Sequence, residues 1–460
     1  MKNSSLFTFL MIIGLHLHGQ TNLPSVISSN TTLSKLNSPY LISNLLTIQS
    51  GITLTIDAGC IILFGTNAGI NVIGSIYAGG TESENIIFKS QVDGKSWNSI
   101  SSNGFQNIDL NFVTSTGGIS FVFVNTGNSV KISHCNITSM ATGSGQDCIA
   151  AEYVKKISIE YIELKGQGGK IANGSKNDAI DLDAADSCFV NHNHVWNFSD
   201  DAIDIGTGTK YALITDNIVH NTNFGITVGE ASTAYLFNNI TFHNDGGFQV
   251  HTAATIYCDR NTIYENTDGI ECYHSEDGEE KQTGGIAYIK NTLFSKNIHH
   301  DITKQSSTFD TISYSLSDRD ILSGWQNLHS DPLLTDPANY NFRLQTTSPC
   351  IGAGMDTSGN KIDIGAEQLV DIALAVHNNF EINPKAFIIY PNPTNEYIKI
   401  ETSTEIGNAE IDIFDVSGKE YLRQKNYKSK IKIDISNLPA GVYIIKILPG
   451  NMESKKMIKI

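Results

Sequence analysis

The sequence predicts an all-β protein: a right-handed parallel β-helix, a single-stranded solenoid, followed by a small immunoglobulin-like β-sandwich. Two observations carry this. Short alternating segments recur about every 22 residues through the middle of the 460-residue chain. Past residue 384 the repeat gives way to alternating strands separated by Pro, Gly and Asn turns. The expected division is a signal peptide over 1–19, the solenoid over 20–370, a linker over 371–384 and the terminal domain over 385–460.

Lys2 and the apolar run from Leu6 to Leu15 read as a secretory signal, with a cleavage zone near Gly19-Gln20. No stretch reaches the roughly 20 consecutive apolar residues of a membrane helix, so no transmembrane segment is expected. Residues from Asn383 onward carry 12 Lys and Arg against 9 Asp and Glu, whereas the rest of the chain carries 19 against 38. So acidic a body argues against nucleic acid and against anionic membranes, which both need basic patches. The seven cysteines (Cys60, Cys135, Cys148, Cys188, Cys258, Cys272 and Cys350) contain no CxxC pair. They read as small core residues and not as a zinc site.

The solenoid shows first in AIDLD from Ala179, AIDIG from Ala202, GITVG from Gly225, GFQVH from Gly247 and GIECY from Gly269. The second and fourth positions are apolar in each, which is a strand with one buried face. Strands at fixed spacing without helices between them stack as parallel coils. A second register agrees: Asn193, Asn217, Asn239, Asn261 and Asn291 each open a short apolar strand. They predict a structural ladder, because a side-chain amide can bond from coil to coil and Asn tolerates αL turns. SEDGEEKQTGG from Ser275 reads as an inserted, solvated loop.

The stretch from Ser38 to Ser90 resembles the opening coils of secreted bacterial β-helix proteins, of the pectin-lyase-like kind, and Ser348 to Gln368 resembles the segment that closes them. At roughly 22–25 residues per coil this amounts to on the order of a dozen coils. YPNPTNEYIKI from Tyr390, IDIFDVSGKEY from Ile411 and IDISNLPAGVYIIKI from Ile433 resemble the sorting domain of the type IX secretion system. That resemblance implies the type IX machinery as a partner, removal of the domain, and a body released or held at the cell surface.

Chemistry is expected on the outward rows of the repeated strand. One row reads Asp181, Asp204, Thr227, Gln249, Glu271 and the next Asp183, Gly206, Gly229, His251, Tyr273, with Asp178 and the pair Asp200-Asp201 just before the strands. Rows on neighbouring coils lie about 4.8 Å apart, so six carboxylates crowd two coils. Such crowding calls for a cation or a retained proton. Asp181, Asp183 and Asp204 are therefore the expected calcium ligands, while a carboxylate pair can divide acid and base roles on a glycosidic bond.

NDAIDLD from Asn177 and SDDAIDIG from Ser199 resemble two signature segments of polygalacturonase-type glycoside hydrolases. The resemblance implies Asp200 as general acid, with Asp178 and Asp201 holding the attacking water. The family's Gly-His-Gly segment falls here at Asn223-Phe224-Gly225, and its Arg-Ile-Lys at Gln249-Val250-His251, so the cations that bind uronate are missing. For a lyase, Lys176 and Lys210 are the nearest cationic bases, and the turn position makes each an ordinary surface lysine. His251, in a row with Asp183, is the lone expected base. Trp196, Phe224, Gln249, Glu271 and Tyr273 are the expected sugar contacts. His274 and Glu230 lie just past the later strands, and Asp186, Glu276, Asp277, Glu279 and Glu280 read as solvated edges. Two functions follow: a secreted enzyme cleaving a polysaccharide in a carboxylate-lined groove, or a calcium-stiffened surface protein binding glycans or cells without catalysis.

Overall fold

The computed structural model describes residues 20–139, 146–168, 176–273, 284–305 and 309–367, then 387–390, 394, 396–402, 409–415, 420–427, 430–439, 441–448 and 455–459. The signal peptide, the linker, His274 and the loop acids Glu276, Asp277, Glu279 and Glu280 lie outside them. The chain forms two compact units, the first reaching residue 369 and the second continuing from 370, with 336–341 and 355–362 grouped in the second.

The first unit is an all-β parallel solenoid of about 12 turns, with no α-helix among the described residues. In the coils that carry the acids, each coil contributes one strand to each of three parallel faces. One sheet, which carries the acids, runs through Ile180–Asp183, Ile203–Gly206, Phe224–Val228, Gly246–His251 and Asp268–Tyr273. A second runs through Ser187–Asn191, Ala212–Thr215, Thr233–Phe237 and Thr255–Asp259. A third holds His194–Trp196, Ile218–His220, Ile240–Phe242 and Thr262–Tyr264, part of a 14-stranded ladder.

The predicted alternation sets the packing. Ile180, Leu182, Ile203, Ile205, Ile226, Val228, Phe248, Val250, Ile270 and Cys272 all lie in one continuous core. Side chains of a strand alternate sides, so burying these residues turns the acids between them outward. The register is the one the repeat implies: Asp181 pairs with Asp204, Asp204 with Thr227, Thr227 with Gln249, and Gln249 with Glu271. All seven cysteines are buried, as small core residues outside any disulfide.

The asparagine ladder is real but one rung shorter than predicted. Nδ2 of Asn193 donates to Oδ1 of Asn217 at 2.9 Å, Asn217 to Asn239 at 2.9 Å, and Asn239 to Asn261 at 3.1 Å. Thr262 pairs with Leu293, so Thr292 faces Asn261, and Asn291 sits one residue earlier. There its φ is 49°, and its amide donates to Asp259 Oδ1 at 2.7 Å. The αL position before each rung is filled along the stack by His192, Asp216, Asn238, Arg260 and Asn291. A second ladder at the next corner was not read from the sequence. The N–H of Thr222 donates to Asn244 Oδ1, that of Asn244 to Asn266 Oδ1, and that of Asn266 to Asn297 Oδ1, at 3.0–3.1 Å.

The segment resembling a closing region does close the unit. The N–H of Gly365 donates to Asn291 O at 2.8 Å and that of Ala366 to Thr262 Oγ1 at 2.9 Å, while Phe342 packs on Phe242 at 5.0 Å. In the second unit, strands predicted from alternation form two antiparallel sheets. One has three strands (Phe387–Tyr390, Tyr397–Thr402, Lys430–Asp434). The other has four (Ala409–Asp415, Glu420–Tyr427, Gly441–Leu448, Lys455–Lys459). Ile398, Ile411, Ile445 and Met457 belong to their common core.

Candidate functional site

The turn into the acid-bearing sheet is built from aspartates. Oδ1 of Asp147 accepts the N–H of Asp178 at 2.9 Å, Oδ1 of Asp178 accepts that of Asp201 at 2.8 Å, and Oδ1 of Asp201 accepts that of Phe224 at 3.1 Å. One carboxylate per coil thus satisfies a backbone donor of the next coil, which would otherwise be costly to bury. Asp201 is committed on both oxygens, since Oδ2 accepts the Thr227 hydroxyl at 2.6 Å. Asp200 is held from two sides, by Lys176 Nζ and by Asn223 Nδ2, each at 3.0 Å from Oδ1.

Two trios result. Asp147, Asp178 and Asp181 each offer an oxygen within 4.8 Å of the others, and so do Asp178, Asp200 and Asp201. Asp147 escaped the sequence reading because 31 residues, not 22 or 23, separate it from Asp178. Its DCIA segment nevertheless repeats the phase of DAID, and that was the available signal.

Burial is the leading cause of every shift here, and like charge adds to it. Asp178 and Asp204 are both held well above the ordinary carboxylate range, Asp178 by burial and then by the charge of Asp204, Asp204 by burial and then by that of Asp201. Burial and then Asp183 push Asp181 up to about 8. Asp201 is pushed up to about 6 by burial and then Asp200, with the Thr227 and Phe224 bonds pulling back.

The other expected residues divide. Asp183 ends its strand beside Gly206 and is raised by burial, with Glu230 and Glu152 adding to the effect. His251 is pushed below the usual imidazole value by burial, against the pull of Glu230. Its ring stacks on Tyr273 at 5.2 Å. Gln249 and Glu271 are adjacent, and Glu271 is pushed up to about 7 by burial and then by Asp268 and Asp245. Phe224 lies beside Asp201, its ring over Gly246. Trp196 belongs to the third sheet, stacked on His194 at 4.3 Å, and so lies outside the acid row. Lys210 pairs with Asp186. Of the two lysines, only Lys176 joins the acids.

These features agree with the comparisons. Residues 117–309 match the family described as the right handed beta helix region, and residues 388–460 match the secretion system C-terminal sorting domain. No curated protein matches the chain. Among the described residues no helix is long and apolar enough to cross a membrane. The chain is a right-handed parallel β-helix protein with a C-terminal sorting domain of the type IX secretion system, secreted or attached to the cell surface.

Proposed function

We propose that the protein acts on an extracellular polysaccharide, which lies across the acid-bearing face and is cleaved, by hydrolysis or elimination, beside Asp178 and Asp200. The observation that carries this reading is the contrast between those two neighbours. Asp178 is held well above the ordinary carboxylate range, while Asp200 pairs with Lys176 at 3.0 Å. A carboxyl whose burial favours its protonated form can serve as an acid, and a neighbouring carboxylate as a base. This is the reverse of the assignment that the polygalacturonase resemblance implies, which made Asp200 the acid. Asp201, engaged on both oxygens, positions Asp178 through its N–H.

A hard cation such as calcium is the alternative answer to the same crowding, and with it bound Asp178 would be a deprotonated ligand and not the acid. The donors around Asp147, Asp178 and Asp181 are all oxygen, as calcium requires. Asn177, buried and next to Asp178, has an Oδ1 without a hydrogen-bond partner, which suits a neutral ligand oxygen. Bound there, calcium supplies the positive charge that the cluster lacks.

The second reading is a calcium-stabilised surface protein that binds glycans or cells without cleaving them. It is favoured by the backbone bonds of Asp147, Asp178 and Asp201, a structural task that needs no substrate. Titrating calcium into the purified protein and into the Asp178→Asn/Asp181→Asn variant tests the cation. Incubating the protein, in calcium and separately in chelator, with neutral and acidic polysaccharides, with reducing ends and unsaturated products as readouts, tests cleavage. Calcium binding with no product from any substrate would select the second reading.

A further inference from the structure

We propose that Phe123 is a stacking platform of the acid-bearing face, on which one sugar unit of the polysaccharide rests two coils before Asp181. This role rests on the reading that the face handles polysaccharide. It adds a binding residue outside the acids and a direction for the chain, along the solenoid axis.

Phe123 lies in the strand Val122–Ser133, between Val122 and Val124, which both belong to the core. Its ring is therefore turned outward, and it is 44% exposed. Register places it in the acid row: Ser101 pairs with Phe123, Phe123 with Ala150, Ala150 with Asp181, and Asp181 with Asp204. Two coil spacings, about 10 Å, separate Phe123 from Asp181. A chain lying along the row covers that distance in roughly two sugar units.

A single exposed ring on a surface is ordinary. Phe123 is set apart by its row and by its borders. The outward rings of the second sheet cover one another, Tyr235 on Tyr257 at 4.9 Å and Tyr257 on Tyr288 at 5.0 Å. Among the described residues no ring stacks on Phe123, and its row neighbours Ser101 and Ala150 are too short to stand over it. Trp196, which the sequence suggested for this task, projects from the third sheet.

A polar row runs alongside: Asn103, Asn125, Glu152 and Asp183 pair from coil to coil. Asn125 is two residues past Phe123 on the same outward side, about 6.6 Å away. Its amide is fixed, with Nδ2 donating to Glu152 Oε2 at 2.5 Å and Oδ1 accepting the Thr126 hydroxyl at 2.6 Å. Asn103 on the preceding coil is exposed. An open aromatic ring bordered by fixed amide and carboxylate groups suits a sugar, whose C–H face lies on the ring while its hydroxyls meet the polar row. Neither row carries a lysine or arginine from Ser101 to Gly206, so stacking and not charge pairing holds the unit.

Affinity electrophoresis of the purified protein through gels containing neutral or acidic polysaccharides identifies a polymer that retards it. Calorimetry and cleavage rates with that polymer then test the platform. The variants are Phe123→Ala, Phe123→Leu, which keeps apolar bulk without a ring, and Phe123→Tyr, which keeps the ring. The side chain is outside the core, so all three should melt as wild type does. Phe123→Ala and Phe123→Leu should weaken binding, or raise KM, by about tenfold with kcat held within about twofold, and Phe123→Tyr should match wild type. Equal affinity in all four proteins overturns the platform and leaves the polysaccharide reading standing. Wild-type affinity in Phe123→Leu overturns the stacking. A wild-type protein that no polymer retards and that cleaves none overturns the platform together with the reading on which it rests.

Discussion

Asp178 Oδ1 accepts the backbone N–H of Asp201 at 2.8 Å, so the residue best suited to hold a proton is also a brace between two coils. Its two roles separate by substitution. Asp178→Asn keeps the acceptor oxygen and removes the charge, so the protein should fold at least as stably as wild type in chelator while losing calcium affinity. Asp178→Ala removes the acceptor and should cost about 1–2 kcal/mol. Urea denaturation midpoints in chelator distinguish the two.

The raised acids make a pH prediction for the metal-free protein. Asp181 sits at about 8 in the fold, against about 3.9 in an unfolded chain. The folded state therefore binds the extra proton between these values, and stability falls as pH rises. Its contribution is complete below about pH 4 and lost as pH passes through 8. The slope per such group is at most about 1.4 kcal/mol per pH unit. Melting temperatures in chelator should decline from pH 5 to pH 9, less steeply in Asp181→Asn. Calcium should offset the decline at the alkaline end, where the carboxylates are free to ligate.

The asparagine ladder should be fragile at its centre. Asn217 donates to Val190 O and Asn239 Oδ1, and its own Oδ1 accepts from both nitrogens of Asn193. It is fully buried. Asn217→Ala strands several of these groups at about 1–3 kcal/mol each. The expected loss is about 3 kcal/mol or more, measured by denaturant unfolding.

The thiols should be silent. Cys135 and Cys350 are pushed up to about 12, and Cys60 to about 11, chiefly by burial. A thiol reagent should label none of the seven cysteines in the native protein at neutral pH, and all of them in denaturant.

Much of this molecule was legible in its sequence, because a solenoid repeats one local pattern. Once Ile180 and Leu182 are read as facing in, Asp181 and Asp183 must face out, and a fixed coil length places Asp204 beside Asp181. The sorting domain was legible for a different reason: its strand and turn phrases are contiguous in the chain. What sequence could not set was whatever depends on a coil of unusual length or on the lean of a side chain. Asp147 reaches Asp178 only because an irregular 31-residue coil returns the chain to the same phase. Asn291 left the ladder because pairing is counted from Thr262 and Leu293, not from a matching triplet of letters. Trp196 was near the acids in the chain but projects from another sheet, and Lys176 joined them because its turn brings it to Asp200. The period determined which residues share a row. Only the folded chain decided which atoms in neighbouring rows touch, because bond distances depend on turn geometry and on the space a glycine leaves open.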